Sequence, residues 1–365
     1  MNVERFELFP LRLGLRHAFT TAAGAVEHRD LAVLRLTDSE GNVGFGEVTP
    51  YPHPRFDGLR DLVDAIELQA RPRLSGCEMT QTAYIMDELG SRLPAPALAA
   101  VDTALLDLQA HQLGVPLAEL FALPARASVE VNATIAGGSI DQSTALALAA
   151  VEAGFKTLKI KVGLPDDIER VEAIREAVGW ETRLRIDANG AWFSAEAVGR
   201  IGELTSLGLE LIEQPVAADD LLGMHRVRDS VLVPVVADEG VRDAADLREY
   251  VRENACDGVA IKLSQVGGPA RATVLADKVL SAGLFCYVTS TLDGPVGLAA
   301  GLHFAATRAE IDLACGLATA SALADTYGSG LPDVVDGSMT IGTAPGLGIE
   351  LDDGALSEHA LELTD

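Results

Sequence analysis

The chain has 365 residues, long enough for two domains or for one large barrel with an appendage. Hydrophobic residues make up 48%, and 35 glycines and 16 prolines are spread along the length, which excludes a fibrous chain or a disulfide-stapled miniprotein. With 28 Lys plus Arg against 54 Asp plus Glu the formal charge is −26, so no broad basic surface is expected, and neither nucleic acid nor a membrane surface is an expected partner.

The opening MNVERFELFPLRLGL lacks a cationic head followed by a long apolar run, and no stretch reaches the ~18 apolar residues of a spanning helix. A soluble, cytoplasmic protein is expected. Residues 1 to about 37 read as two strands, FELFPLRLGL and RDLAVLRLTD, and the SEGN turn leads to a third, VGFGEV. Helical apolar spacing follows near 57–71, 81–92 and 95–113, completing an α+β domain over 1–125. His17, near TTAAGA, and His53, within TPYPHPRFDG, fall in N-terminal loops expected to close over a site as a lid, without a catalytic role.

From residue 129 short β-branched runs alternate with alanine-rich helical stretches: VEVNATI, KTLKIKVG, LRIDANG, LELIEQP, VPVVADEG, GVAIKLS, LFCYVTS and IDLACGL. Eight strands alternating with about seven helices predict a (β/α) barrel of parallel strands over 126–320. The tail, 321–365, is expected to return to the N-terminal domain. Cys77, Cys256, Cys286 and Cys315 are scattered with no CxxC pair and read as reduced core residues. LSQVGGPARA lacks the context of a phosphate cradle and reads as a loop turn.

The chemistry gathers at the C-terminal ends of the strands, where a parallel barrel carries its site. Strands two to six end in Lys161, Asp187, Glu213, Asp238 and Lys262, spaced by 24 to 26 residues. A buried charge is costly unless paired or metal-bound, so five at one level call for a common explanation. Asp187, Glu213 and Asp238 would repel one another unless a hard divalent cation sat among them, and three carboxylates without histidine or thiolate favour Mg²⁺, with Mn²⁺ as an option. Lys159 and Lys161 stand two apart and share one strand face, and Lys262 lies across the barrel. Desolvation, a neighbouring cation and the metal would all disfavour the charged form of Lys161, as a lysine base requires. This set suits removal of the proton next to a carboxylate, with the metal stabilising the enediolate.

The segments LKIKVG, RIDANGAW, EQP, ADE and IKLSQVGG, in this order and spacing, resemble the enolase superfamily, muconate-lactonizing subgroup, over nearly the whole chain. The resemblance implies an α/β fold: a modified (β/α)7β TIM-like barrel with an α+β N-terminal capping domain completed by the C-terminal tail. It also implies Asp187, Glu213 and Asp238 as metal ligands, Lys161 and Lys262 as acid/base lysines, Lys159 as electrostatic support, and Asn189 beside the substrate. Gly240 departs from the serine frequent in the family after Asp-Glu, with altered local packing expected. VNATI, TSTLDGPVGLAAGLHFAA and ACGLATASALADTYGSGLPDVVDGSMTIG further resemble the o-succinylbenzoate synthases of menaquinone biosynthesis, in which Thr289, Thr291 and Gly316 would meet the substrate. Dipeptide epimerases of the subgroup carry an Asp-x-Asp pair at the eighth strand, whereas Asp312, Leu313 and Ala314 stand here. The leading expectation is therefore dehydration of 2-succinyl-6-hydroxy-2,4-cyclohexadiene-1-carboxylate. The alternatives are an N-acylamino acid racemase, a dipeptide epimerase or a muconate cycloisomerase, and, from other classes, a Schiff-base aldolase or a non-catalytic binding barrel. A small-molecule carboxylate is the expected partner, with a homo-oligomer left open.

Overall fold

A computed structural model of the chain describes residues 1–22, 24–51, 58–121 and 126–363. His53 lies outside the described residues. The chain opens with an antiparallel sheet of β1 (Val3–Thr21), β2 (Gly24–Asp38) and β3 (Val43–Val48). Within β2, Leu31 and Val33 enter one apolar core while Ala32, Leu34 and Leu36 enter another, as the period of two requires. The continuous apolar run LAVL is thus buried on both faces and joins cap to barrel. On the second core lie α1 (Leu59–Ala65), α2 (Arg71–Leu74), α3 (Thr82–Leu89) and α4 (Ala95–Leu113). Helix α4 packs directly on the β3 backbone: a Cβ at Gly44 or Gly46 would lie 2.2 or 1.8 Å from carbonyl oxygens of Ala104 or Ala100.

The expected loop around His17 is instead a β-ribbon. Strand β1 runs on to Thr21 and pairs back through Phe19↔Val26 and Thr20↔Ala25, with His17 exposed. Both faces of this ribbon are largely wet, so its sequence carries no apolar alternation to announce it.

The second layer is a parallel sheet of seven strands in sequential order: β5 (Ala133–Ile135), β6 (Thr157–Lys161), β7 (Arg183–Asp187), β8 (Leu209–Glu213), β9 (Val235–Ala237), β10 (Gly258–Ile261) and β11 (Phe285–Val288). Helices between and after the strands include α5 (Ile140–Glu152), α6 (Asp167–Val178), α7 (Ser194–Leu204), α8 (Leu221–Ser230), α9 (Ala244–Arg252), α10 (Leu263–Val266), α11 (Pro269–Ser281) and α12 (Pro295–Ala306).

The two outermost expected strands differ from the reading of the sequence. VEVNATI is split, because β4 (Ser128–Glu130) pairs antiparallel with β13 (Ser338–Thr340) of the tail and only β5 joins the barrel. IDLACGL supplies a two-residue bridge. Cys315 exchanges hydrogen bonds with Glu130 and Asn132, and Gly316 with Val288 and Ser290, at 2.7–3.1 Å. Those bonds join the two edges of the seven-stranded sheet and close the ring.

The tail also contributes β12 (Gly328–Ser329), β14 (Glu350–Leu351) and α13 (Asp353–Glu358). It returns to the cap, where the Leu361 amide donates to Pro10 O and the Arg12 amide to His359 O, both at 2.9 Å. All four cysteines are buried and free. Among the described residues no helix is long and apolar enough to cross a membrane.

Candidate active site

Strand register builds the site. Lys161 pairs with Asp187, Asp187 with Glu213, and Glu213 with Val236, so three charged strand ends lie side by side. Asp238 stands two residues beyond Val236. Asp187, Glu213 and Asp238 are fully buried, and one oxygen from each lies within 4.8 Å of the others. Asn189 and Gln214, just past the first two carboxylates, hold φ of 44° and 38°, a left-handed conformation uncommon outside glycine. These turns aim the following polar groups back at the rim: the Asn189 amide donates to Asp187 Oδ1 at 2.9 Å, and Gln214 Oε1 accepts from the Asp238 amide at 2.9 Å.

Three lysines meet the carboxylates. Lys159 Nζ donates to Glu213 Oε1 at 2.6 Å and lies 2.8 Å from Asp187 Oδ2. Lys161 Nζ donates to Asp187 Oδ2 at 2.6 Å and to Asn189 Oδ1 at 2.9 Å, while Lys262 Nζ donates to Asp238 Oδ2 at 2.6 Å. Burial lowers Lys159 and Lys262, but the surrounding carboxylates, Asp187 and Glu213 for the first and Asp238 and Glu239 for the second, outweigh it and hold both above the ordinary lysine value. Burial likewise raises Asp187, yet Lys159 and Lys161 keep it well below the usual carboxylate range. Burial and then the Asp187 charge push Glu213 up to about 7.

A divalent cation fits this rim on two observations. Asp238 Oδ1 is buried without a hydrogen-bond partner, a costly state unless something binds it. The rim carboxylates Asp187, Glu213, Asp238 and Glu239 also outnumber the rim ammoniums Lys159, Lys161 and Lys262, and Arg29, the other cation of the cavity wall, is set against Asp293 and Glu47, so an anionic substrate needs added positive charge. An all-oxygen donor set suits Mg²⁺.

Above the rim lies a cavity of about 570 Å³. Its walls include Lys159, Lys161, Asn189, Lys262, Thr289, Thr291 and Gly316, so the proposed lysines and substrate-contacting residues meet in one space. Strands β6 and β10 are separated by three others in a ring of eight, which sets Lys161 and Lys262 on opposite walls. Thr291 Oγ1 is buried and unpartnered. Gly316 permits close approach of the eighth segment, since a Cβ there would fall 2.3 Å from Thr289 Oγ1. Asp312 is exposed and outside the cavity lining.

Several lining residues were not expected from the sequence. Phe19, Val26 and Arg29 come from the cap ribbon, Tyr51 follows β3, and Glu239 accepts from Asn189 Nδ2 at 3.0 Å. Alternation predicts that Glu239 faces away from Asp238, but β9 ends at Ala237 and the rule no longer applies. Gly240, the departure noted above, has a packing reason: a Cβ there would lie 1.9 Å from the Tyr250 hydroxyl, which fills that space.

Fold and site together define a barrel enzyme that abstracts a proton beside a metal-held carboxylate. Residues 9–122 match the mandelate racemase/muconate lactonizing enzyme N-terminal domain, and residues 142–355 match the enolase C-terminal domain-like family. The chain belongs to the enolase superfamily, within its muconate-lactonizing subgroup. It is 35% identical to the hydrophobic dipeptide epimerase of Enterococcus faecalis, over 96% of this chain and 99% of that one. The solved N-succinyl Arg/Lys racemase of Bacillus cereus superimposes with a TM-score of 0.94 at 27% identity, covering 99% of each chain. The muconate lactonizing enzyme of Pseudomonas fluorescens, complexed with muconolactone, gives the same TM-score, identity and coverage.

Proposed function

We propose that this chain is a Mg²⁺-dependent racemase of N-acylamino acids, working by two-base proton transfer at the carbon next to the substrate carboxylate. The observation that carries this reading is the placement of Lys161 and Lys262 on opposite walls of one cavity, with the three carboxylates between them. One lysine in neutral form takes the α-proton from its face, and the other, charged, returns a proton to the opposite face. Lys159, bonded to Glu213 and beside Asp187, offsets part of the negative charge of these two carboxylates. A divalent cation held by Asp187, Glu213 and Asp238 supplies positive charge for the substrate carboxylate and for the charge it gains as the proton leaves.

The eighth-strand end separates substrate classes. Of the acidic residues, only Glu239 lines the cavity among the described residues, and Gly316, Thr289 and Thr319 make the wall where an ammonium-binding carboxylate pair would be needed. A neutral N-acyl group suits that wall better than the free ammonium of a dipeptide. The same wall also supports a second reading, dehydration of 2-succinyl-6-hydroxy-2,4-cyclohexadiene-1-carboxylate to o-succinylbenzoate. Turnover of N-succinylamino acids, dipeptides and the cyclic dienoate side by side tests both readings. Racemisation of the N-succinylamino acids is the expected result, and activity confined to dipeptides would overturn both.

A further inference from the structure

We infer that Tyr287 is a positioning residue for Glu213, braced from the layer below by Arg185. The inference rests on the reading of Asp187, Glu213 and Asp238 as metal ligands. Tyr287 lies on β11, three strands from the β8 that carries Glu213, yet its hydroxyl donates to Glu213 Oε2. The side chain therefore crosses the closed interior of the barrel, where it is fully buried. Arg185 stands two residues before Asp187 on β7, on the same face and one layer deeper. Its guanidinium carbon is 4.9 Å from the centre of the Tyr287 ring. Arg185 is itself fully buried, paired with Glu210 and donating to Ala314 O at 2.6 Å. A buried cation tied to an acid and a carbonyl makes a firm floor for the ring above it.

The consequence is a division of labour between the two oxygens of Glu213. Oε2 is engaged by the tyrosine, and Oε1 accepts at 2.6 Å from Lys159 Nζ, the ammonium that also lies 2.8 Å from Asp187 Oδ2. The carboxylate is thus fixed to offer a single oxygen to a cation and cannot turn to present the other. Groups that orient a ligand in this way contribute roughly 10- to 100-fold to metal affinity.

The test is Mn²⁺ binding to the complete protein, read from the electron paramagnetic resonance of free Mn²⁺, for the wild type and Tyr287→Phe. The variant is expected to bind Mn²⁺ about tenfold more weakly, with kcat restored at saturating metal and substrate KM unchanged. Tyrosine difference absorbance on titration with Mn²⁺ of a protein that keeps Tyr287 supplies a readout independent of the folding of Tyr287→Phe. It is read in a Tyr51→Phe background because Tyr51 also lines the cavity. A tyrosine signal that saturates with the metal supports the inference. Equal Mn²⁺ affinity in the two proteins, or a silent tyrosine spectrum, would overturn it while leaving the ligand assignment intact. A wild-type protein that binds no Mn²⁺ would overturn the ligand assignment and this inference with it.

Discussion

The Lys161 ammonium donates to the side-chain oxygen of Asn189 at 2.9 Å, and Asn189 is held at a φ of 44° to receive it. The backbone thus adopts an uncommon conformation where it orients the proposed base. Replacing Asn189 with Gly keeps that conformation accessible and removes the acceptor of Lys161 together with the hydrogen bond to Glu239. Asn189→Gly should lower kcat roughly tenfold and leave Mn²⁺ affinity within about twofold. Steady-state kinetics and direct metal titration separate the two effects.

Metal should stabilise the fold as well as support turnover, because three fully buried carboxylates share the rim. At about a hundredfold excess over Kd a bound ion adds about 2.7 kcal/mol of stability. Thermal unfolding with Mg²⁺ should therefore occur at a higher Tm than with chelator. Asp187→Asn, Glu213→Gln and Asp238→Asn should each fold, lose activity and lose that shift. Failure of these variants to fold would mark the residues as structural.

Glu213 and Asp238 entered the site by the same logic that made them legible in the sequence: charged residues spaced 24 to 26 apart at successive strand ends come to one level. Lys159 and Lys161 followed from alternation on a single strand. What escaped were residues whose position depends on distant pairing. Arg29 and Phe19 reach the cavity because the cap ribbon folds back over the barrel mouth; the sequence places TTAAGA there as a closing loop, but nothing local in RHAFTTAAGAVEHRD states that it is a paired ribbon or which of its side chains face the cavity. The eighth strand was overread because IDLACGL has strand composition, while two residues suffice to close a ring whose edges already face each other. Tyr287 looked like ordinary apolar strand material, since its partner lies three strands away.

Asp102 on α4 gives a pH dependence outside the site. It is 5% exposed and accepts from the Ala270 amide at 2.8 Å, at the cap–barrel contact. Burial raises its pKa to about 7, only partly offset by that amide and by Arg271. The folded state therefore holds a proton that the unfolded chain releases near its ordinary carboxylate value. This group's contribution is complete below about pH 4 and is lost as pH rises through about 7. Asp102→Asn, which can still accept from Ala270, should remove that loss. The difference in unfolding free energy between variant and wild type should shift in the variant's favour by on the order of 2–4 kcal/mol from pH 4 to pH 8. Urea unfolding of both proteins across that range checks it.

At Gly240 the prediction is steric. Gly240→Ser should destabilise by roughly 1–3 kcal/mol, because its Cβ would meet the Tyr250 hydroxyl and ring. In a Tyr250→Leu background the same substitution should cost much less, so a double-mutant cycle should report favourable coupling of at least about 1 kcal/mol. Additive effects would show that Tyr250 is not the obstacle.

Two-base transfer is tested most directly by proton exchange in ²H₂O with Lys161→Ala and Lys262→Ala, using each enantiomer of an N-succinylamino acid. Lys161 and Lys262 occupy opposite walls of the cavity, so each variant keeps a base on one face only. Both variants should lose racemisation, and each should exchange the α-proton of a single enantiomer, the opposite one in the two cases. Racemisation surviving in either variant, or exchange of the same enantiomer by both, would contradict the assignment.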